Sequence, residues 1–107
     1  MTQPHNALFQ SLSDPTRRAL FEHLCREGEQ TVSAMTDRAR ISQPAVSKHL
    51  RILKDAGLVQ ARKSGRETHY RPRATALAPL DAWVREMTDF WHARFDDLDE
   101  LLKRMDQ

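Results

Sequence analysis

At 107 residues, 30% of them charged and 39% hydrophobic, the chain is sized for one domain burying roughly two-thirds of its unfolded surface, and a single cysteine, Cys25, excludes an internal disulfide. No apolar run approaches the roughly 20 residues a bilayer requires, and Met1-Thr2-Gln3-Pro4-His5 has neither a basic nor an apolar export region, so the composition predicts a cytoplasmic protein. The net charge of +2 hides an asymmetry: residues 38–73 carry ten lysines and arginines against Asp55 and Glu67, whereas residues 81–107 carry four against eight acids, a pattern that points to a polyanion for the middle and another task for the tail.

A first helix, α1, is predicted over 6–12. Asp14-Pro15 is a helix start, with Asp14 as N-cap and Pro15 at the first position; α2 then carries Ala19, Leu20 and Leu24 inward and stops near Gly28. Ser33 is the expected N-cap of a short α3 through Ala39, with Met35 and Ala39 inward. After a turn at Arg40-Ile41, Ser42 caps α4, from Gln43 to about Ala56, where Gly57 stops it. Val46, Leu50 and Leu53 recur at i, i+4 and i+7 as one buried stripe.

Leu58 to Arg73 reads as a hairpin with Ser64-Gly65 as its two-residue turn. That register sets Lys63 opposite Arg66, Arg62 opposite Glu67, Ala61 opposite Thr68 and Val59 opposite Tyr70. Like charges facing each other at the tip are unfavourable alone, which favours an anionic partner over a splayed, solvated tip. From Leu80 to Met105 a long helix, α5, presents Trp83, Met87, Phe90, Trp91, Phe95, Leu98, Leu102 and Met105 as one apolar stripe. Nothing in so short a chain covers all of it, so a subunit interface is expected.

Two helices joined by a short turn, the second better capped and more basic, make a helix-turn-helix pattern. With α4 in a major groove, Gln43, Pro44, Ser47, Lys48 and Arg51 are the candidate base readers: Gln for adenine, Lys or Arg for guanine, Ser for either, Pro for a thymine methyl. Ser42, Arg38, Arg40, Arg62, Lys63 and Arg66 are the candidate phosphate contacts, giving affinity without sequence information. One copy makes few base contacts, so a two-fold homodimer reading an inverted repeat is expected.

The chemistry-bearing side chains elsewhere support little. His23 and Cys25 lie about 200° apart around α2 and do not share a ligand; Cys25 is expected as a small buried hydrophobe, and His49 as a hydrogen-bonded structural residue. Asp89, His92 and Asp96, at i, i+3 and i+7, read as a solvated acidic face rather than a metal site. No nucleophile–base pair, glycine-rich phosphate loop or paired carboxylate stands out, so an enzyme is excluded and no cofactor is expected.

The strings LSDPTRRALFEHL, ISQPAVSKHLRILKDAGLV, RKSGRETHYR and FWHARFDDLDELL closely resemble the ArsR/SmtB family of winged helix-turn-helix repressors, over roughly Ala7 to Met105. The resemblance implies a mainly α fold with a small β-hairpin in the order α1-α2-α3-α4-β-β-α5, a single domain over 1–107, and dimerisation through α1 and α5 (about 80–105). It also implies DNA contact by Gln43, Pro44, Ser47 and Lys48, with repression by promoter occupancy in the nucleoid, autoregulation included. The expected interface residues are Leu8, Trp83, Met87, Phe90, Trp91, Phe95 and Leu98. Where metal-sensing members carry a Cys-x-Cys pair, this chain has Thr31 and Ser33, and where others carry Asp-x-His it has Asp81-Ala82-Trp83, so both known metal sites are expected to be absent. Arg40 stands where relatives often have glycine. Two other readings stay open: a winged-helix module for a protein partner, and a repressor with a nonstandard metal or thiol sensor.

Overall fold

The computed structural model describes residues 4–106. In chain order they form α1 (Pro4–Ser13), α2 (Pro15–Glu27), β1 (Gln30–Thr31), α3 (Val32–Ala39), α4 (Gln43–Asp55), β2 (Val59–Ser64), β3 (Glu67–Pro72) and α5 (Ala78–Met105). The chain divides into a unit ending at Leu77 and a second made by α5. Among the described residues no helix is long and apolar enough to cross a membrane.

Within the first unit, local chemistry starts and stops each helix. Asp14 is extended and its carboxylate accepts the Arg17 N–H at 2.9 Å, with Pro15 opening α2. That hydrogen bond, the largest influence, holds the Asp14 carboxyl below its usual 3.8. The cap's contribution is therefore full above the unfolded-state pKa and is lost as pH falls through the lower folded value. Asp14→Ala is expected to lower the melting temperature at neutral pH and to matter less as the solution is acidified below that range. Paired melts across pH check it; a pH-independent gap would mean that ionisation of this carboxylate does not hold the helix.

The end of α1 has no basic residue of its own, and α2 supplies two. Arg17 Nε donates to the Ser11 carbonyl at 2.6 Å and Nη2 to that of Gln10 at 3.3 Å, while Arg18 Nη1 donates to Leu12 at 2.9 Å. These take up carbonyls that a helix end leaves without partners. Arg17 Nη1 also lies 3.4 Å from His49 Nδ1, joining α4 to the same junction.

The core gathers Leu20, Phe21 and Leu24 of α2, Met35 of α3, the Val46-Leu50-Leu53 stripe of α4, Leu58 of the turn that follows it, and Val59 and Tyr70 from the sheet. α4 ends in a paired turn: the Gly57 N–H donates to Lys54 at 2.9 Å and the Leu58 N–H to Leu53 at 2.9 Å, with Gly57 at φ 82°. This six-to-one and five-to-two pattern is a Schellman motif.

Several expectations are corrected. The N-cap of α3 is Thr31, not Ser33: its hydroxyl accepts the Ala34 N–H at 3.0 Å. Thr31 also belongs to β1, a strand too short to show as alternation, which pairs Gln30 with Tyr70 and Thr31 with His69 to give the sheet order β1-β3-β2. The hairpin register is shifted: Ser64 pairs with Glu67, Lys63 with Thr68, Arg62 with His69, Ala61 with Tyr70 and Val59 with Pro72. Gly65 and Arg66 are the turn, with Gly65 first at φ 63°. A glycine in that position gives a type II′ turn, whose twist matches the strands with only the glycine left-handed, whereas a type I′ turn at Ser64-Gly65 would also need a left-handed Ser64. Lys63 therefore does not face Arg66. The shift moves each partner by two residues, so the inward face of Val59, Ala61, Thr68 and Tyr70 survives. Ala19 and Cys25 are exposed rather than inward. Leu8 is 3% exposed, a core residue with almost no surface to offer a second chain.

Candidate nucleic-acid interface

The connection from α3 to α4 is built on a strained residue. Arg40 is left-handed, φ 59° and ψ 25°, a conformation that costs a non-glycine residue roughly 1–2 kcal/mol. It turns the chain so that Ser42, extended, caps α4 by accepting the Ala45 N–H at 3.3 Å. Pro44, in the second helical position, gives up an N–H that has no helical partner there. The Ser42 hydroxyl hydrogen remains available to a phosphate oxygen.

On α4, Val46, Leu50 and Leu53 are 0% exposed. Gln43, Pro44, Lys48 and Arg51 are exposed and Ser47 is half-buried. At 100° per residue these five occupy a sector of about 140° turned away from the buried stripe. Burial of one stripe thus determines which side chains face outward, and the outward set is concentrated in the first turns, where the helix dipole favours anions.

Arg38, Arg40, Lys63 and Arg66 are exposed, and among the described residues none of their side chains is in an ion pair or hydrogen bond. Arg62 differs. Its Nη2 donates to Glu29 Oε2 at 2.7 Å and its Nε to Oε1 at 3.5 Å, so the expected phosphate contact is already engaged by a carboxylate. The paired guanidinium, first of all, lowers the Glu29 pKa, and Glu29 in turn raises that of Arg62. His69 Nδ1 lies 3.6 Å from the same Oε2, and on the same face Arg71 Nε donates to Gln60 Oε1 at 3.1 Å. Sequence reasoning missed Glu29; its signal was an acid just before β1, opposite a wing otherwise rich in cations.

α5, taken by itself, carries its apolar residues within a sector of about 140°. Phe90, Trp91, Phe95 and Leu98 are 58%, 62%, 59% and 49% exposed, and Trp83 and Met87 are half-buried. Trp91 and Phe95 stack with centroids 5.7 Å apart. The opposite face holds exposed i,i+4 ion pairs such as Arg85–Asp81 at 3.2 Å and Lys103–Asp99 at 3.4 Å, which contribute little each.

Among the described residues no group of three or more His, Cys, Asp and Glu side chains is placed to hold a metal ion, and the Asp89, His92 and Asp96 face forms no such group. Cys25 has its thiol pushed above its usual value, first by partial burial and then by Glu22, which holds it in the less reactive protonated form.

A model for a helix-turn-helix domain matches residues 12–60. The chain is 43% identical over 75 residues to a probable mercury resistance operon repressor of Streptomyces lividans, covering 67% of this chain and 59% of that protein. It is 31% identical over 100 residues to the arsenical resistance operon repressor of Escherichia coli, covering 92% of this chain and 81% of that one. Among solved structures, an ArsR-like transcriptional regulator from Rhodococcus superposes with a TM-score of 0.78 at 30% identity, over 92% of each chain. A homodimeric winged helix-turn-helix DNA-binding domain from Mycobacterium bovis, a possible ArsR-family regulator, does so with 0.65 at 28% identity, over 80% of this chain and 79% of its own.

Proposed function

The chain belongs to the ArsR family of helix-turn-helix transcriptional regulators, and from that we propose that it is a dimeric repressor, with residues 1–107 working as one unit on an inverted-repeat operator. The observation that carries the reading is the uncommitted polar and basic set on the first turns of α4, outside its fully buried stripe. In a major groove Gln43 pairs with adenine, Lys48 or Arg51 with guanine, Ser47 with either, and Pro44 meets a thymine methyl. Ser42, Arg38, Arg40, Lys63 and Arg66 contact phosphates and fix the register.

The exposed stripe of α5 supports the second half of the reading. A second copy of the same helix buries Trp83, Met87, Phe90, Trp91, Phe95 and Leu98 against their equivalents, as a two-fold interface requires. Pairing two chains sets the recognition helices about 34 Å apart, one turn of DNA. The site of action is the cytoplasm, on nucleoid DNA, with the protein's own promoter as the first operator to test. The names of the relatives refer to mercury and arsenic; Thr31, which caps α3, and Ser33 provide no thiolates, and a metal signal is not part of the proposal.

Fluorescence anisotropy with the DNA upstream of the protein's own gene, against a scrambled duplex at near-physiological salt, tests this directly. Saturable binding of two chains, at least about a thousandfold tighter than to scrambled DNA, is the expected result. Gln43→Ala is expected to remove about 1–3 kcal/mol of discrimination at one base pair, whereas Lys63→Gln should weaken binding to both duplexes alike. Equal, salt-labile binding to both, with Gln43→Ala silent, would assign the basic face to a protein partner instead.

A further inference from the structure

We propose that Glu29 is an internal stand-in for DNA phosphate: by holding Arg62 it removes one cation per chain from the wing's contact with DNA and sets how steeply affinity falls with salt. The inference rests on the DNA-binding reading above. Of the three cations at the wing's tip and edge, Arg62, Lys63 and Arg66, only Arg62 has a carboxylate partner among the described residues. Its fork meets both Glu29 oxygens, at 2.7 and 3.5 Å, much as it would meet two oxygens of a phosphate. By contrast Arg71, on the same face, is held by the neutral amide of Gln60, which brings no opposing charge.

The pair is accessible to exchange. The side chains of Arg62 and Glu29 are 57% and 32% exposed, and an exposed ion pair is weak enough for a competing anion to displace. Displacement leaves the Glu29 carboxylate beside the incoming phosphate, so the exchange gains little, and Arg62 releases few counterions on binding. Neutralising Glu29 frees Arg62 as one more phosphate contact. Glutamine is isosteric and still accepts a hydrogen bond, so Glu29→Gln changes the charge and retains the strand geometry.

The test is anisotropy on the full chain with a labelled duplex of random sequence, which needs no operator, between about 50 and 200 mM salt. E29Q is expected to bind more tightly at low salt, with a log–log slope steeper by about 0.9 per chain, a further three- to fourfold loss per chain across that range. Arg62→Gln should abolish this gain in the E29Q chain and have a much smaller effect in the wild-type chain. If Glu29 is instead a strut bracing the wing through Arg62, E29Q weakens binding at every salt with an unchanged slope, and R62Q weakens the wild-type chain more than the E29Q chain; either result overturns the proposal. Wild-type binding with an unchanged E29Q slope defeats this inference alone, whereas absence of any wild-type binding defeats the DNA reading and this one with it.

Discussion

Replacing Trp91 and Phe95 together by aspartate is expected to leave a folded, monomeric chain that no longer holds an inverted-repeat operator. Both rings are more than half exposed on α5, so neither substitution opens a cavity in the core of the unit ending at Leu77. In a two-fold dimer they account for four side chains, and burying the exposed three-fifths of each is worth about 1–2 kcal/mol. Losing them weakens dimerisation by about 4–7 kcal/mol, enough to carry a nanomolar dimer to about micromolar or weaker. The new carboxylates, set against their own copies, repel as well. Sedimentation velocity gives the association state, and anisotropy the operator affinity. A double variant that still sediments as a dimer would place the interface elsewhere, and one that is monomeric yet binds with unchanged affinity would remove dimerisation from the mechanism.

Truncating Leu50 acts on the other half of the device. Its side chain is 0% exposed in the middle of the α4 stripe, where α4 packs on α2 and α3. Leu50→Ala removes that packing and leaves a cavity, an expected loss of about 2–5 kcal/mol. Against a total stability of about 5–15 kcal/mol for a small domain, that is a large share. Urea unfolding should show a clearly lower midpoint with a similar slope, while Leu50→Met, nearly equal in volume, should lose less than about 1.5 kcal/mol. A Leu50→Ala midpoint close to wild type would mean that the stripe does not carry the packing described, and the outward face of α4 would lose its fixed aim.

The helix-turn-helix was legible because its signals are local and chemically strong. Asp14-Pro15, Ser42 and Gly57 each do one thing to the backbone, and the Val46-Leu50-Leu53 spacing then orients α4 without help from the rest of the chain. Expectations failed where two local signals competed or where the partner was distant in sequence. Thr31 and Ser33 are both good N-caps, and pairing of Gln30 and Thr31 with β3 decides between them. Ser64-Gly65 and Gly65-Arg66 both read as two-residue turns, and the second is taken because it leaves only the glycine left-handed, where the first would also strain Ser64. Arg62 reads as a free cation until Glu29, 33 positions earlier, is brought beside it. Leu8, read as interface, is claimed by the core, and Cys25, read as buried, lies on the exposed side of α2.

The paired turn at Gly57 has a mechanical consequence. Leu58 is bonded on both sides: its N–H to the last turn of α4 and its carbonyl to the Arg73 N–H at 3.0 Å, just beyond β3. Its side chain, 0% exposed, is also embedded in the core. One residue therefore rivets the end of the helix to the root of the hairpin, with no slack segment between them. The helix end and the hairpin root are therefore expected to shift together, so that under the DNA-binding reading proposed above a displacement of one carries the other with it.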